Sequence, residues 1–231
     1  MQIQLEGIVV IVGNFGSGKT EVAINLAVDR NRAGVKVRLA DLDLVNPYFR
    51  TREARKTLAD IGIEVILPPD EYLVADLPIL SPLVAGMIRR PGQLGLIDAG
   101  GDPVGAKVLS ALADAFSDRP YHMLQVVNPM RPKSDTVEGC LAMRREIETA
   151  SRLVVTGWIG NAHLIDETGP DDIVWGHGFV QKLSRESGLP VMFVTAASDL
   201  LPHISMESFA CPVLTIERQL VPPWKKAKPI T

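Results

Sequence analysis

Residues 13–20 read Gly-Asn-Phe-Gly-Ser-Gly-Lys-Thr, between the apolar run Gly7–Val12 and a helical pattern that opens at Lys19. The spacing satisfies GxxxxGK[ST], the signature of a loop that holds phosphate. Its glycines let the backbone curl until successive N–H groups point inward at phosphate oxygens. The helix that follows adds the positive end of its dipole. Gly13, Asn14, Phe15, Gly16, Ser17, Gly18, Lys19 and Thr20 are therefore candidate nucleotide contacts. Lys19 is placed to neutralise the β- and γ-phosphates, a catalytic role, and the Thr20 hydroxyl to bind Mg²⁺. A chance match in a glycine-rich turn is the competing reading, and the strand before and helix after argue against it.

Such a loop needs carboxylates for the metal and for the attacking group. Two stretches offer them, each at the C-terminal end of an expected strand, where ligands gather in open α/β sheets. One is Leu39-Ala40-Asp41-Leu42-Asp43 and the other Leu94-Gly95-Leu96-Ile97-Asp98-Ala99-Gly100-Gly101-Asp102. Asp98 ends an apolar strand as a metal-linked carboxylate would, and Gly101 allows close approach to a γ-phosphate. Asp102 reads instead as a helix cap, because Pro103 follows at a first helical position. One of Asp41 and Asp43 can face the metal while the other turns into the following loop. With the phosphate loop present, Asp41 is the one assigned with Thr20 and Asp98 to the metal.

The elements that must position these groups alternate along the chain. Gly7–Val12, Lys36–Leu42, Glu64–Leu67, Leu94–Ile97, Met123–Val127, Leu153–Ile159 and Val191–Val194 read as strands. Several are apolar on both faces, as in a parallel sheet covered on each side. Helical patterns fall at about 19–33, 51–60, 82–90, 104–116, 134–150 and 176–187. The rhythm predicts an α/β fold, a doubly wound, mostly parallel sheet with helices on both faces. With no repeat or low-complexity linker, 1–231 is expected to form a single domain. Pro68–Pro82 reads as a long connection or lid, and about 217–231 as an extended, three-lysine tail.

The whole chain has 231 residues, 46% hydrophobic and 22% charged, with a net charge of -3, so no basic field advertises nucleic acid. No apolar run approaches the ~20 residues of a membrane span. Cys140 and Cys211 are far apart and form no CxxC, which argues against a disulfide framework or structural zinc and fits a reducing, cytoplasmic setting. His122, His163, His177 and His203 are scattered without metal-ligand spacing, so a metal other than Mg²⁺ has little support.

Taken together these residues resemble the MinD/ParA and CobQ/CobB group of P-loop ATPases. Asp41-Leu42-Asp43 is similar to the group's DxD element, and Asp98-Ala99-Gly100-Gly101 to its DxxG switch. The resemblance implies that Asp43 orients the hydrolytic water. Val126-Val127-Asn128-Pro129 resembles a strand end of MinD. Val155–Asn161 resembles the strand whose terminal Asn reads adenine, which makes Asn161 a base-reading candidate beside a purely structural alternative. The likeness covers roughly residues 7–196 and departs at Asn14, where MinD and ParA carry a signature lysine that reaches across a dimer. Arg50, Arg52 and Arg55 are the nearby guanidiniums, and Arg55 reads as solvated.

The resemblance implies ATP and Mg²⁺ as cofactors, and a nucleotide-dependent switch or slow hydrolase acting on a protein partner, with a nucleotide-dependent homodimer as a further partner. A ligase of the dethiobiotin synthetase or CobB type, acting on a small carboxylate, is the enzymatic alternative. A non-hydrolysing nucleotide-binding module is the other. A glutamine amidotransferase would need a reactive cysteine with a histidine partner, and neither Cys140 nor Cys211 has one.

Overall fold

The computed structural model describes residues 1–42, 51–66, 82–101, 103–117 and 119–219. Among them eight strands form one sheet in the order β3-β2-β4-β1-β5-β6-β7-β8. The strands are β1 (Gly7–Gly13), β2 (Val37–Leu42), β3 (Glu64–Ile66), β4 (Leu94–Ala99), β5 (Tyr121–Val127), β6 (Gly157–Gly160), β7 (Val191–Ala197) and β8 (Val213–Ile216). Every pairing is parallel. The helices are α1 (Lys19–Arg32), α2 (Thr51–Asp60), α3 (Pro82–Arg89), α4 (Pro103–Ser110), α5 (Ala113–Phe116), α6 (Val137–Ser151) and α7 (Pro170–Ser187).

The sheet is apolar on both faces because helices cover both. Side chains alternate along each strand, so one set of residues faces α1 and the other faces the remaining layer. Val9, Ile11, Leu39, Leu96, Leu124, Ile159 and Phe193 pack with Val22, Leu26 and Ala27 of α1 and Leu58 of α2. Val10, Ala40, Ile97 and Met123 pack on the other face with Met87, Leu109 and Ile147. Trp158 and Val194 continue that second face against Val180 and Leu183 of α7. Trp158 is wholly buried and donates its indole N–H to Ser187 Oγ at 2.8 Å, which makes so large a polar-tipped side chain tolerable inside.

Several boundaries differ from the sequence expectation for local reasons. Residues 153–156 lead into β6 without joining it. There the N–H of Val154 bonds Tyr121 Oη at 3.0 Å and that of Val155 bonds Glu148 Oε1 at 2.9 Å. Helix α6 opens at Val137 rather than 134, because Thr136 caps it by accepting from the Gly139 N–H at 3.1 Å. Helix α7 opens at Pro170, six residues before the expected start, with Asp172 Oδ2 accepting from the Gly169 N–H at 2.7 Å. The single helix expected over 104–116 is two, broken at Ala111-Leu112. Strand β8 was not anticipated. The connection 68–82 and the tail beyond Gln219 lie, but for Pro82, outside the described residues.

Connections leaving β1 go to the α1 face, whereas those leaving its neighbours β4 and β5 go to the opposite face. Open α/β sheets form their ligand crevice at such a reversal, outside the carboxyl ends of the strands. The phosphate loop stands there.

Candidate functional site

The loop is built by its glycines. Gly16 and Gly18 take φ of 73° and 85°, the left-handed region that glycine enters at no steric cost. Ser17 N–H closes a turn onto Asn14 C=O at 3.1 Å, and Gly18 is the residue before α1. Ser17, Lys19 and Thr20 are buried, while Phe15 is 73% exposed at the loop tip. A side chain at Gly101 would collide with the Gly13 carbonyl, so the segment after β4 lies against the phosphate loop backbone to backbone.

Asp41 and Asp98 are register partners on β2 and β4. Parallel neighbours in register stand about 4.8 Å apart and point to the same face. They continue the alternation of Leu39 and Leu96, so that face is the one covered by α1, which carries Thr20. Both are buried, at 1% and 0% exposure. Two buried carboxylates side by side demand cationic compensation. Among the described residues no group of three or more His, Cys, Asp or Glu stands close enough to hold a metal ion. Two carboxylates and a hydroxyl facing a phosphate loop suit Mg²⁺, which takes one or two carboxylates and fills the rest with phosphates and water.

Three loops are braced together around this centre. Asn161 follows β6; its Nδ2 donates to Ser17 C=O at 2.6 Å and its Oδ1 accepts from Thr195 Oγ1. Gly18 has no room for a side chain because Asn161 and His163 lie against it. Asn128 follows β5; its Nδ2 donates to His163 C=O at 2.9 Å, and its Oδ1 accepts from the N–H groups of Met130 at 3.1 Å and His163 at 3.3 Å. Asn14 Nδ2 donates to Pro132 C=O at 2.9 Å, which ties the phosphate loop to the β5–α6 loop of its own chain.

The electrostatics follow from this crowding. Burial pushes the His163 imidazole down to about 4, helped by the charges of Arg131 and Arg218 and opposed by the Ser17 backbone, so the ring is neutral at pH 7. Burial likewise raises the Cys140 thiol to about 12, reinforced by the Asp135 charge, and the Cys211 thiol to about 11. Burial thus disfavours the thiolate at both positions.

No family model matches the chain, and no curated protein does. Solved structures do. Chloroplast FtsY from Physcomitrella patens superposes with a TM-score of 0.56 at 24% identity, over 84% of this chain and 60% of that one. The cell division protein FtsY of Thermotoga maritima gives 0.57 at 23%, over 84% and 62%. The signal recognition particle 54 kDa protein of Aeropyrum pernix, in complex with GDP, gives 0.56 at 17%, over 84% and 42%. The fold is that of the P-loop NTPases. The chain spans about 60% of the FtsY chains it matches, and at these identities the likeness is one of fold.

Within this P-loop NTPase fold the sequence-expected residues divide. Gly13–Thr20, Asp41, Asp98, Gly101 and Asn161 gather at the carboxyl ends of β1, β2, β4 and β6. Asp43, Asp102 and Arg50 lie outside the described residues, as does the side chain of Arg52; Arg55 is exposed. Sequence reasoning missed Arg131, Thr195 and the bracing role of His163. Asn128-Pro129 and Asn161, each at a strand end, were the signals available for that side of the site.

Proposed function

We propose that the chain is a Mg-ATP-binding ATPase of the MinD/ParA and CobQ/CobB-like group, working as a nucleotide-dependent switch or slow hydrolase for a protein partner. The observation that carries this reading is the register pair Asp41–Asp98 on the α1 face, beside a glycine loop that ends in buried Lys19 and Thr20. The loop N–H groups cradle the phosphates and Lys19 offsets their charge. Thr20, Asp41 and Asp98 hold Mg²⁺, whose chemistry there is to neutralise and orient the phosphate oxygens. Asp43 orients the attacking water. Catalysis is then mostly positioning and charge stabilisation.

Asn161 is held inside the chain, its Nδ2 on Ser17 C=O and its Oδ1 on Thr195 Oγ1, so one amide hydrogen is left for a base and the adenine assignment rests on the resemblance. The GDP complex of the structurally similar Aeropyrum protein makes GTP the competitor to test. Calorimetric titration with Mg-ATP, with GTP as competitor, is the deciding experiment. Binding should be saturable, favour ATP, and weaken at least about a hundredfold in Lys19→Ala, because a buried charge–phosphate contact is lost. Equal affinity for GTP would remove the adenine assignment, and no binding of either would remove the reading. Retention of a lysate protein only with a non-hydrolysable ATP analogue would favour the switch over a carboxylate ligase.

A further inference from the structure

The neutral Asn14 leaves the site short of one cation relative to the group it resembles. Its amide is engaged by a loop of its own chain, donating to Pro132 C=O. The residue just before Pro132 is Arg131. Its Nε and Cδ lie 3.7 and 3.9 Å from where a Cβ would stand on Gly16, so the side chain runs along the phosphate loop itself. The Nε is buried with no hydrogen-bond partner, and no ion pair of the described residues takes up the guanidinium. Its charge is felt at His163 on the neighbouring loop.

The loop that delivers this arginine is firmly built. Arg131 N–H donates to Asn128 C=O at 3.1 Å. Its own carbonyl accepts from Ser134 N–H and Ser134 Oγ, each at 3.2 Å. Ser134 Oγ also donates to Asn128 C=O at 2.7 Å. Lys133 sits at φ 70°, a left-handed conformation that a non-glycine residue holds only where its surroundings impose it. A guanidinium N–H buried without an acceptor is costly, and a rigid loop that keeps one against a glycine of the phosphate loop implies an acceptor that arrives with the ligand.

We propose that Arg131 is a second phosphate-chain cation of this site beside Lys19, contributed in cis, and that it supplies the charge a lysine at position 14 would bring from a partner subunit. The inference rests on the reading of Gly13–Thr20 as a nucleotide site. The ligand chemistry is the polyphosphate of a nucleoside di- or triphosphate, whose oxygens accept charge-assisted N–H bonds from the guanidinium. The charge of the site is then complete within one chain.

Titration of wild type, Lys19→Ala, Arg131→Gln and Arg131→Lys with ADP and with a non-hydrolysable ATP analogue tests it. Arg131→Gln should bind about tenfold to a hundredfold more weakly than wild type. Arg131→Lys, which restores the charge, should recover most of that loss. Wild-type affinity in Arg131→Gln, with Lys19→Ala defective, overturns the inference and leaves the nucleotide site standing. Absence of binding by wild type overturns both. A second measurement needs no Gln variant to fold. In ¹⁵N-arginine-labelled wild type, the Nε–H signal that is lost in Arg131→Lys should shift when ADP is added. A signal that ADP leaves in place overturns the proposal.

Discussion

His163 shows how one neutral side chain records the construction of the site. Its ring is wedged against Gly18, its backbone is clasped at both ends by Asn128, and burial holds its pKa near 4 against an ordinary 6.5. Between those values the unfolded chain binds a proton that the folded chain refuses, so stability must rise with pH there. The contribution is whole above pH 6.5 and is lost progressively on acidification toward pH 4. At pH 5 this one group should cost ~2 kcal/mol relative to pH 7. Burial also lowers the His177 pKa, which adds to the slope with the same sign, so the wild-type curve alone does not isolate His163. Urea unfolding of wild type and His163→Gln at pH 7 and pH 5 does: the variant should lose ~2 kcal/mol less on acidification. Identical losses in the two proteins would mean that His163 protonates freely in the folded state.

At the scale of elements, α1 is the piece that joins the site to the far edge of the sheet. Asn25 is buried in α1, two turns from Gly18, and its Oδ1 accepts from the Glu217 N–H at 2.8 Å, 192 residues away. Its Nδ2 donates to the Glu21 carbonyl and Oε1, each at 2.9 Å, and Glu21 Oε1 accepts from the Gln219 N–H at 2.7 Å. The chain leaving β8 is thereby latched one residue past Thr20. Asn25→Ala strands the Glu217 N–H and should destabilise the fold by about 1–3 kcal/mol. The check is a lower urea midpoint at unchanged m-value; an unmoved midpoint would show that the latch adds nothing to stability. The same element explains what the sequence could and could not disclose. β1, the glycine loop and the start of α1 are consecutive, and local chemistry dictates all three. Strand β8 is a four-residue run whose place is fixed by its ladder to β7 and by the bonds that the residues after it make to α1, and no local pattern carries those. The entry to β6 was misread because the ring hydroxyl of Tyr121 and the carboxylate of Glu148 take over what a ladder would supply. Arg131 and His163 meet the phosphate loop only because β5 lies next to β1 and β6 next to β5, an order that residue types do not spell.

The whole molecule is an all-parallel sheet, paid for by helices on both faces, that brings three loops to one rim. Those loops are cross-braced among themselves: Asn14 to Pro132, Asn128 to His163, and Asn161 to Ser17 and Thr195. A nucleotide that touched the glycine loop, the β2 and β4 carboxylates and the β5–α6 loop, segments far apart in sequence, would bind the folded state alone. Linkage then fixes the consequence: at a hundred times its Kd the ligand adds about 2.7 kcal/mol to stability. For a chain of this size each kcal/mol moves Tm by roughly 2–4 °C, so saturating Mg-ATP should raise Tm by about 5–10 °C. Lys19→Ala should show no such rise above its own apo Tm, since the cation that meets the phosphates is gone. The rise should need no carboxylate co-substrate, as a switch requires. A wild-type Tm that Mg-ATP leaves unmoved, alone or with GTP in its place, would make the braced rim a piece of scaffolding rather than a nucleotide site.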